Sequence, residues 1–481
     1  MDNAISLSVR SKLGRSACRL LVAGTLGLGL VGAVQAQTAA PPSPAPAVVV
    51  TKTDGSNSLT WNGITLYGIV DIGLQYQTHG VPISDYFPAG SEAIISKNSN
   101  GSITGLTPSN LSQSRIGLSG LEPLGNDISF VFRLETFFNP QSGNLSDALK
   151  SITLNNGKAL DAQTTTVDSS VAGQLFAGAA NLGFSSPTLG SLTFGRHVTP
   201  LADGIAKYDP MGAAQAFSVI GFSGTAGGGG DTENRRLDDS VKYSGKFGPV
   251  HVGALYQFNG ASGSANTAFQ GQLGFELGGG SLDGYYAQKK GAVAAAPLTQ
   301  AQMLTLPTLG YSSSNSVAST ISDNTTYAVM GLWSFGAPKI FAGYEHIKFE
   351  NPDHPVLPGS STIGGYILAF TNNTAYTNPK TLEVVWAGAK YAFNASFDVT
   401  GAWYGYRQDA FATGVNAGCN STASAACKGE LNAFSLVADY KFSKRLDGYL
   451  GSMWSEVQDG LANGYLNRNT ISTTTGVRFR F

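Results

Sequence analysis

The side chains able to do chemistry in this 481-residue chain are scattered rather than grouped. Its five histidines are His79, His197, His251, His346 and His354. Acid–base or metal chemistry needs such groups to converge at spacings such as HExxH or an EF-hand loop, and none of these spacings occurs. No nucleophile elbow or Walker loop is present. The single G-x-G-x-x-G match, Gly27, Gly29 and Gly32, follows no strand and opens no βαβ unit, so it is coincidental. The densest charged knot, "RRLDDS" from Arg235 to Ser240, lies in a strand-like segment. A Ser–His pair assembled in space from distant segments is the one route to catalysis left open. The residues read as those of a non-enzyme, with no cofactor and no metal.

Three cysteines occur. Cys419 and Cys427 stand eight positions apart in a Gly/Ala/Ser/Asn-rich stretch. In an exported chain such a pair reads as a disulfide closing a surface loop; two unpaired thiols are the alternative. Export is indicated by the start of the chain. Arg10, Lys12, Arg15 and Arg19 precede an apolar run from Leu20 to Val34, and "VQA" ends at Ala36. The run is 15 residues, against about 20 for a spanning helix. Residues 1–36 therefore read as a signal peptide rather than an anchor, and 37–60 as a Pro/Ala-rich linker. Residues 61–481 form the remaining domain. Of 30 basic and 31 acidic residues, the leader carries four bases and Asp2. That leaves 26 against 30, a net charge of −4, which gives nucleic-acid binding no electrostatic basis.

The elements that would position any site are strands. Only 13% of residues are charged and 61 are glycine, yet beyond the leader no stretch is solidly apolar. No convincing helical periodicity follows the linker. Alternation does, repeatedly. "VHVGALYQF" sets Val250, Val252, Ala254, Tyr256 and Phe258 against His251 and Gln257. "DISFVFRLETFF" sets Phe130, Phe132 and Leu134 against Arg133 and Glu135, and "AFSLVADY" sets Phe434, Leu436 and Tyr440 against Ser435 and Asp439. Short separators such as "LGGGS" and "SFGAPK" alternate with long polar stretches near 77–111, 139–171, 198–234, 259–268, 290–324, 349–379, 407–430 and 457–469. Seven short turns and eight long loops join sixteen strands.

Many of these runs reach the 9–11 residues that span a bilayer, longer than the common 5–6 of soluble sheets. Aromatics gather at their ends, as in interfacial girdles. Unpaired backbone groups in hydrocarbon cost several kcal/mol each, so only a closed sheet is tolerated there. The expectation is an all-β, transmembrane antiparallel β-barrel of about sixteen strands, with short periplasmic turns and long extracellular loops. In the last segment, "STTTGVRFRF", Val477 and Phe479 face lipid, Arg478 and Arg480 face the lumen or the rim, and the strand pairs with Gly63–Tyr76 to close the barrel.

The chain resembles the general diffusion porins of Gram-negative outer membranes. The resemblance rests on "ITLYGIVDIGLQYQ", "SQSRIGLSGLEPLGNDISFVFRLETFF", "LGSLTFGRHVTPLADGIAKYDPMG", "RRLDDSVKYSG" and the aromatic C-terminus. It implies a homotrimer in the cell outer membrane, among lipid and lipopolysaccharide, inserted by the barrel-assembly machinery with Phe481 as part of the signal. It implies that loop 3, about 198–234, folds into the pore and carries the acids Asp203 and Asp209. The opposing basic wall would be Arg115, Arg196 and Arg236, to which strand parity adds Arg133. Arg196 shares parity with lipid-facing Leu192 and Phe194; a bulge or exit from the bilayer would resolve this.

The function implied is passive diffusion of small hydrophilic solutes and ions, with a weak anion preference because arginines outnumber acids at the narrow point. A channel selective for organic acids or other anions is the alternative, followed by a barrel enzyme or adhesin. The chain departs from the family in its longer loops, and in loop 3, which has "YDPMG" where an acidic-aromatic-glycine tip is commoner.

Overall fold

The computed structural model describes residues 59–88, 97–166, 168–220, 235–258, 267–413, 419–420, 424–462 and 464–481. The expected signal peptide and nearly all of the expected linker lie outside these residues. Sixteen described strands make up the barrel wall. They are β1 (Ile64–Gln77), β2 (Arg115–Gly125), β3 (Ile128–Phe137), β4 (Ala179–Ser186), β5 (Gly190–Val198) and β6 (Arg236–Phe247). Next come β7 (Val250–Gln257), β8 (Ala268–Leu277), β9 (Gly280–Ala296), β10 (Ser316–Ser334) and β11 (Pro338–Glu350). The last are β12 (Lys380–Ala392), β13 (Phe397–Gln408), β14 (Gly429–Lys441), β15 (Leu446–Asp459) and β16 (Asn469–Arg480).

Consecutive strands pair antiparallel through short turns at one end. The β2–β3 turn places Asn126 and Asp127 at φ 50° and 59°, both left-handed, as a two-residue hairpin of the twist-matched type requires. The sheet closes on itself where β1 meets β16, from Ile69 opposite Arg480 to Gln77 opposite Ser472. Phe481 extends the seam: its N–H donates to Gly68 O at 3.1 Å and its carbonyl accepts from Gly68 N at 3.0 Å. Among the described residues the wall strands leave no open edge, where one in hydrocarbon would cost several kcal/mol per unpaired group.

Alternation sorts side chains as expected. Leu273, Phe275, Tyr256, Phe434, Leu436, Val477 and Phe479 are all exposed on the outer face. Their neighbours Gln257, Ser435, Asp439 and Arg478 are buried inside. A continuous band of exposed apolar groups would be unstable in water and fits lipid.

The structure departs from the expected segmentation in three ways. First, β9 and β10 run 17 and 19 residues, so much of the stretch read as loop 290–324 is strand rising beyond the bilayer. Second, short helices do occur: α1 (Ala148–Leu154), α2 (Pro200–Tyr208) and α3 (Gln300–Thr305). At six to nine residues they are too short to leave a periodic signal; α2 is instead fixed by Thr199 as N-cap, Pro200 in its first turn and Lys207 in its last. Third, the partner of β1 on this side is split: a separate strand, Ile103–Pro108, pairs with Ile72–Gln77, and Arg115–Gly120 of β2 pairs with Ile64–Ile69.

Loops 2 and 3 fold over or into the barrel. Loop 2, residues 138–178, lays α1 across the mouth, where Leu149 and Ile152 pack on Val317, Ile321 and Leu368. Asp147 caps α1 by accepting from Lys150 N and also accepts from Tyr366 OH at 2.8 Å. Loop 3 enters the lumen. Its Leu201, Ile205, Tyr208, Phe217, Val219 and Ile220 are fully buried against inward-facing side chains of β9 to β15, among them Met330, Val384, Trp386 and Tyr404.

Candidate functional site

Loop 3 fills one side of the lumen because that side of the wall is apolar. Leu382, Val384 and Trp386 occupy inward positions of β12, where a water-facing wall would carry polar groups. Trp386 Nε1 donates to Tyr208 O at 3.1 Å, Tyr406 OH to Val219 O at 2.5 Å and Ser435 Oγ to Phe217 O at 2.6 Å. These bonds satisfy loop-3 carbonyls that water cannot reach. The loop's turn is knotted by Asp209, which is buried and accepts from Tyr404 OH at 2.6 Å, Met211 N at 3.1 Å and Ala213 N at 2.7 Å.

Beside loop 3 remains an open cavity of about 510 Å³. Arg115, Arg133, Arg235 and Arg236 border it on one side, and Lys339, Lys390 and Lys441 on another. Arg478 and Arg480 of β16 and Lys207 of α2 complete ten basic groups. Five acids face them: Glu135, Asp203, Asp209, Asp398 and Asp439. Several pairs are locked. Arg133 donates to Glu135 at 2.7 Å and to Tyr67 OH at 2.9 Å, while Arg115 approaches the same carboxylate only to 3.8 Å. Lys390 and Lys441 share Asp398 at 2.8 and 3.1 Å. Lys339 sits directly across from Lys390 in the β11–β12 ladder, and among the described residues no acid lies within ion-pair distance of it.

The sixteen wall strands pair antiparallel into a closed barrel with an apolar exterior, an inward-folded third loop and a charged passage. The model of the family described as Gram-negative porin matches residues 28–460. The chain belongs to the Gram-negative porin family. It is thus an outer-membrane diffusion channel. It is 24% identical over 469 residues to an outer membrane porin protein of Bordetella pertussis, covering 96% of this chain and 99% of that one. Among solved structures it resembles an anion-selective porin from Comamonas acidovorans, with a TM-score of 0.56 at 18% identity, over 87% of this chain and 99% of that one. It also resembles OmpT of Vibrio cholerae, with a TM-score of 0.52 at 12% identity, over 89% and 100%.

Within this porin the sequence-assigned residues are not all placed alike. Arg115, Arg133 and Arg236 border the lumen, as does Asp203, which pairs with Lys242 at 2.6 Å. Asp209 borders it too, but its carboxylate is turned into the loop-3 knot. Arg196 does not border the cavity. A register shift between Gly195 and His197, with Gly195 at φ 126°, turns it off the lipid face. Its guanidinium then donates to Ser170 O at 2.6 Å, to Ala177 O at 3.0 and 3.1 Å, and to Asp238 at 2.7 Å. It anchors the end of loop 2. The Gly-rich return of loop 3 lies outside the described residues. Cys427 is disulfide-bonded. The Cys419 backbone pairs with Ala425 in a short hairpin, and its side chain lies outside the described part.

Sequence reading missed Lys207, Arg235, Lys339, Lys390 and Lys441. Parity could have found Lys390, which shares its face with Trp386, once that tryptophan is known to point inward. One spatial Ser–His pair does exist: His197 Nδ1 lies 2.8 Å from Ser240 Oγ. Its other nitrogen meets Thr193 Oγ1 at 2.9 Å, and among the described residues no acid bonds to the ring.

Proposed function

We propose that this porin is a homotrimeric general diffusion channel for small hydrophilic solutes with a weak anion preference, and not an enzyme. The observation that carries the reading is the lumen lining, in which ten basic groups face five acids, an excess that persists when Asp168, Asp283 and Asp447, which pair with Arg236, Lys207, Arg478 and Arg480 from behind the lining, are counted. A net positive wall in a narrow passage raises the local anion concentration. The Comamonas acidovorans structure with a similar fold is described as anion-selective, and OmpT of Vibrio cholerae has been solved in a trimer form, which support the same reading. Export would remove residues 1–36, and Cys419 would be the partner of Cys427. Lipopolysaccharide would surround the barrel, and the assembly machinery would read the end at Phe481.

Swelling of liposomes that hold the protein tests this. Uncharged sugars of rising size should enter at falling rates with a cutoff. Aspartate should enter faster than lysine, a cation of comparable size. Equal or reversed rates for the charged pair would overturn the anion preference.

A further inference from the structure

The segment between Ile103–Pro108 and β2 is an insertion into the lumen. Six residues, Ser109 to Ser114, face only Val70 and Asp71 on β1, between the register pairs Ile72–Pro108 and Ile69–Arg115. The surplus chain turns inward, so that Leu111, Ser112 and Gln113 border the same cavity as loop 3. A slack loop would not hold that position; this one is pinned at every side. Asp71 Oδ2 accepts from Leu111 N and Ser112 N, both at 2.8 Å, and Asp71 Oδ1 accepts from Tyr449 OH at 2.6 Å. Ser109 N donates to Asp71 O at 2.8 Å, and Asp71 N to Ser114 Oγ at 3.0 Å. Asn110 Nδ2 donates to Tyr449 OH at 2.9 Å.

The insertion also reaches both other parts of the passage. Ala216 N of loop 3 donates to Asn110 O at 3.0 Å. Arg478 donates to Ser112 Oγ at 2.6 Å, and Arg236 to Gln113 Oε1 at 3.5 Å. Both arginines also have carboxylate partners, Asp168 at 2.9 Å for Arg236 and Asp447 at 2.6 Å for Arg478, and the inserted segment adds to that hold. We infer that Ser109–Ser114 is a second jaw of the constriction, seated beside loop 3, that sets the size limit and helps hold Arg236 and Arg478 at the lumen. Asp71 is its positioning residue. The inference rests on the channel reading of the lumen.

The test is a thiol placed at the tip. Gln113→Cys is recorded in single channels before and after a negatively charged methanethiosulfonate, with the unsubstituted protein as control and Ala206→Cys on loop 3 as reference. A stepwise loss of conductance with a fall in anion preference is expected, comparable to that at Ala206→Cys. No reaction, or reaction with conductance and selectivity unchanged, would overturn the second jaw. Asp71→Asn is expected to admit larger sugars while the barrel keeps its resistance to heat and detergent. An unchanged size limit counts against the inference. An unsubstituted protein that does not conduct refutes the channel reading itself, which separates the two failures.

Discussion

Arg236 Nη1 donates to Asp168 Oδ2 at 2.9 Å, and both side chains are buried. An arginine assigned by resemblance to the pore wall thus also fastens loop 2 to the barrel. Removing one partner of a buried pair costs about 3–5 kcal/mol because the other charge is stranded. Asp168→Ala is therefore expected to release loop 2, seen as faster proteolytic cleavage within residues 138–178, with the strands intact by circular dichroism.

The same pair carries a pH dependence. Burial alone would raise the Asp168 carboxyl; Arg236, Arg235 and Arg196 outweigh it and hold it below the ordinary value. A carboxylate held down stabilises the fold above its unfolded pKa of about 4, and that stabilisation fades as pH falls through the lower folded value. Pepsin cleavage of loop 2 should stay slow above about pH 4 and rise below it.

Arg196 and Lys339 should behave oppositely. Arg196 is bonded to loop-2 carbonyls away from the cavity, so Arg196→Ala should loosen loop 2 and leave ion preference unchanged. Lys339 borders the lumen beside Lys390. Lys339→Gln with Lys390→Gln is expected to lower the chloride-to-potassium permeability ratio a few-fold, read from reversal potentials.

Trp386 holds loop 3 by burial and by its bond to Tyr208 O. Large-to-small replacement of a buried tryptophan costs about 3–5 kcal/mol. Trp386→Ala should give noisier single-channel currents and a larger mean conductance, because loop 3 loses its seat.

Deleting Phe481 removes two main-chain hydrogen bonds at the β1–β16 seam. Each contributes about 0.5–1.5 kcal/mol in water, and its loss costs more in lipid. Slower folding into vesicles is expected, measured by the heat-modifiable shift on gels.

Much of the barrel was legible because lipid and water impose opposite demands on alternate residues. "VHVGALYQF" and "STTTGVRFRF" could be read face by face. The lumen was less legible, because its inner wall is not uniformly wet. "LEVVW" looks like failed alternation until loop 3 covers Leu382, Val384 and Trp386. Parity also assumes an unbroken register. The bulge at Gly195 moved Arg196, and the insertion at Ser109–Ser114 takes Asp71 as its anchor. Neither partner choice could be read locally, since Arg236 finds Asp168 some 68 residues away.

The most direct measurement is the reversal potential of the unsubstituted protein in a planar bilayer under a potassium chloride gradient. A water-filled lumen with surplus positive charge predicts discrete ohmic openings and a potential of the sign that favours chloride. No openings, or a potential that favours potassium, would contradict the account.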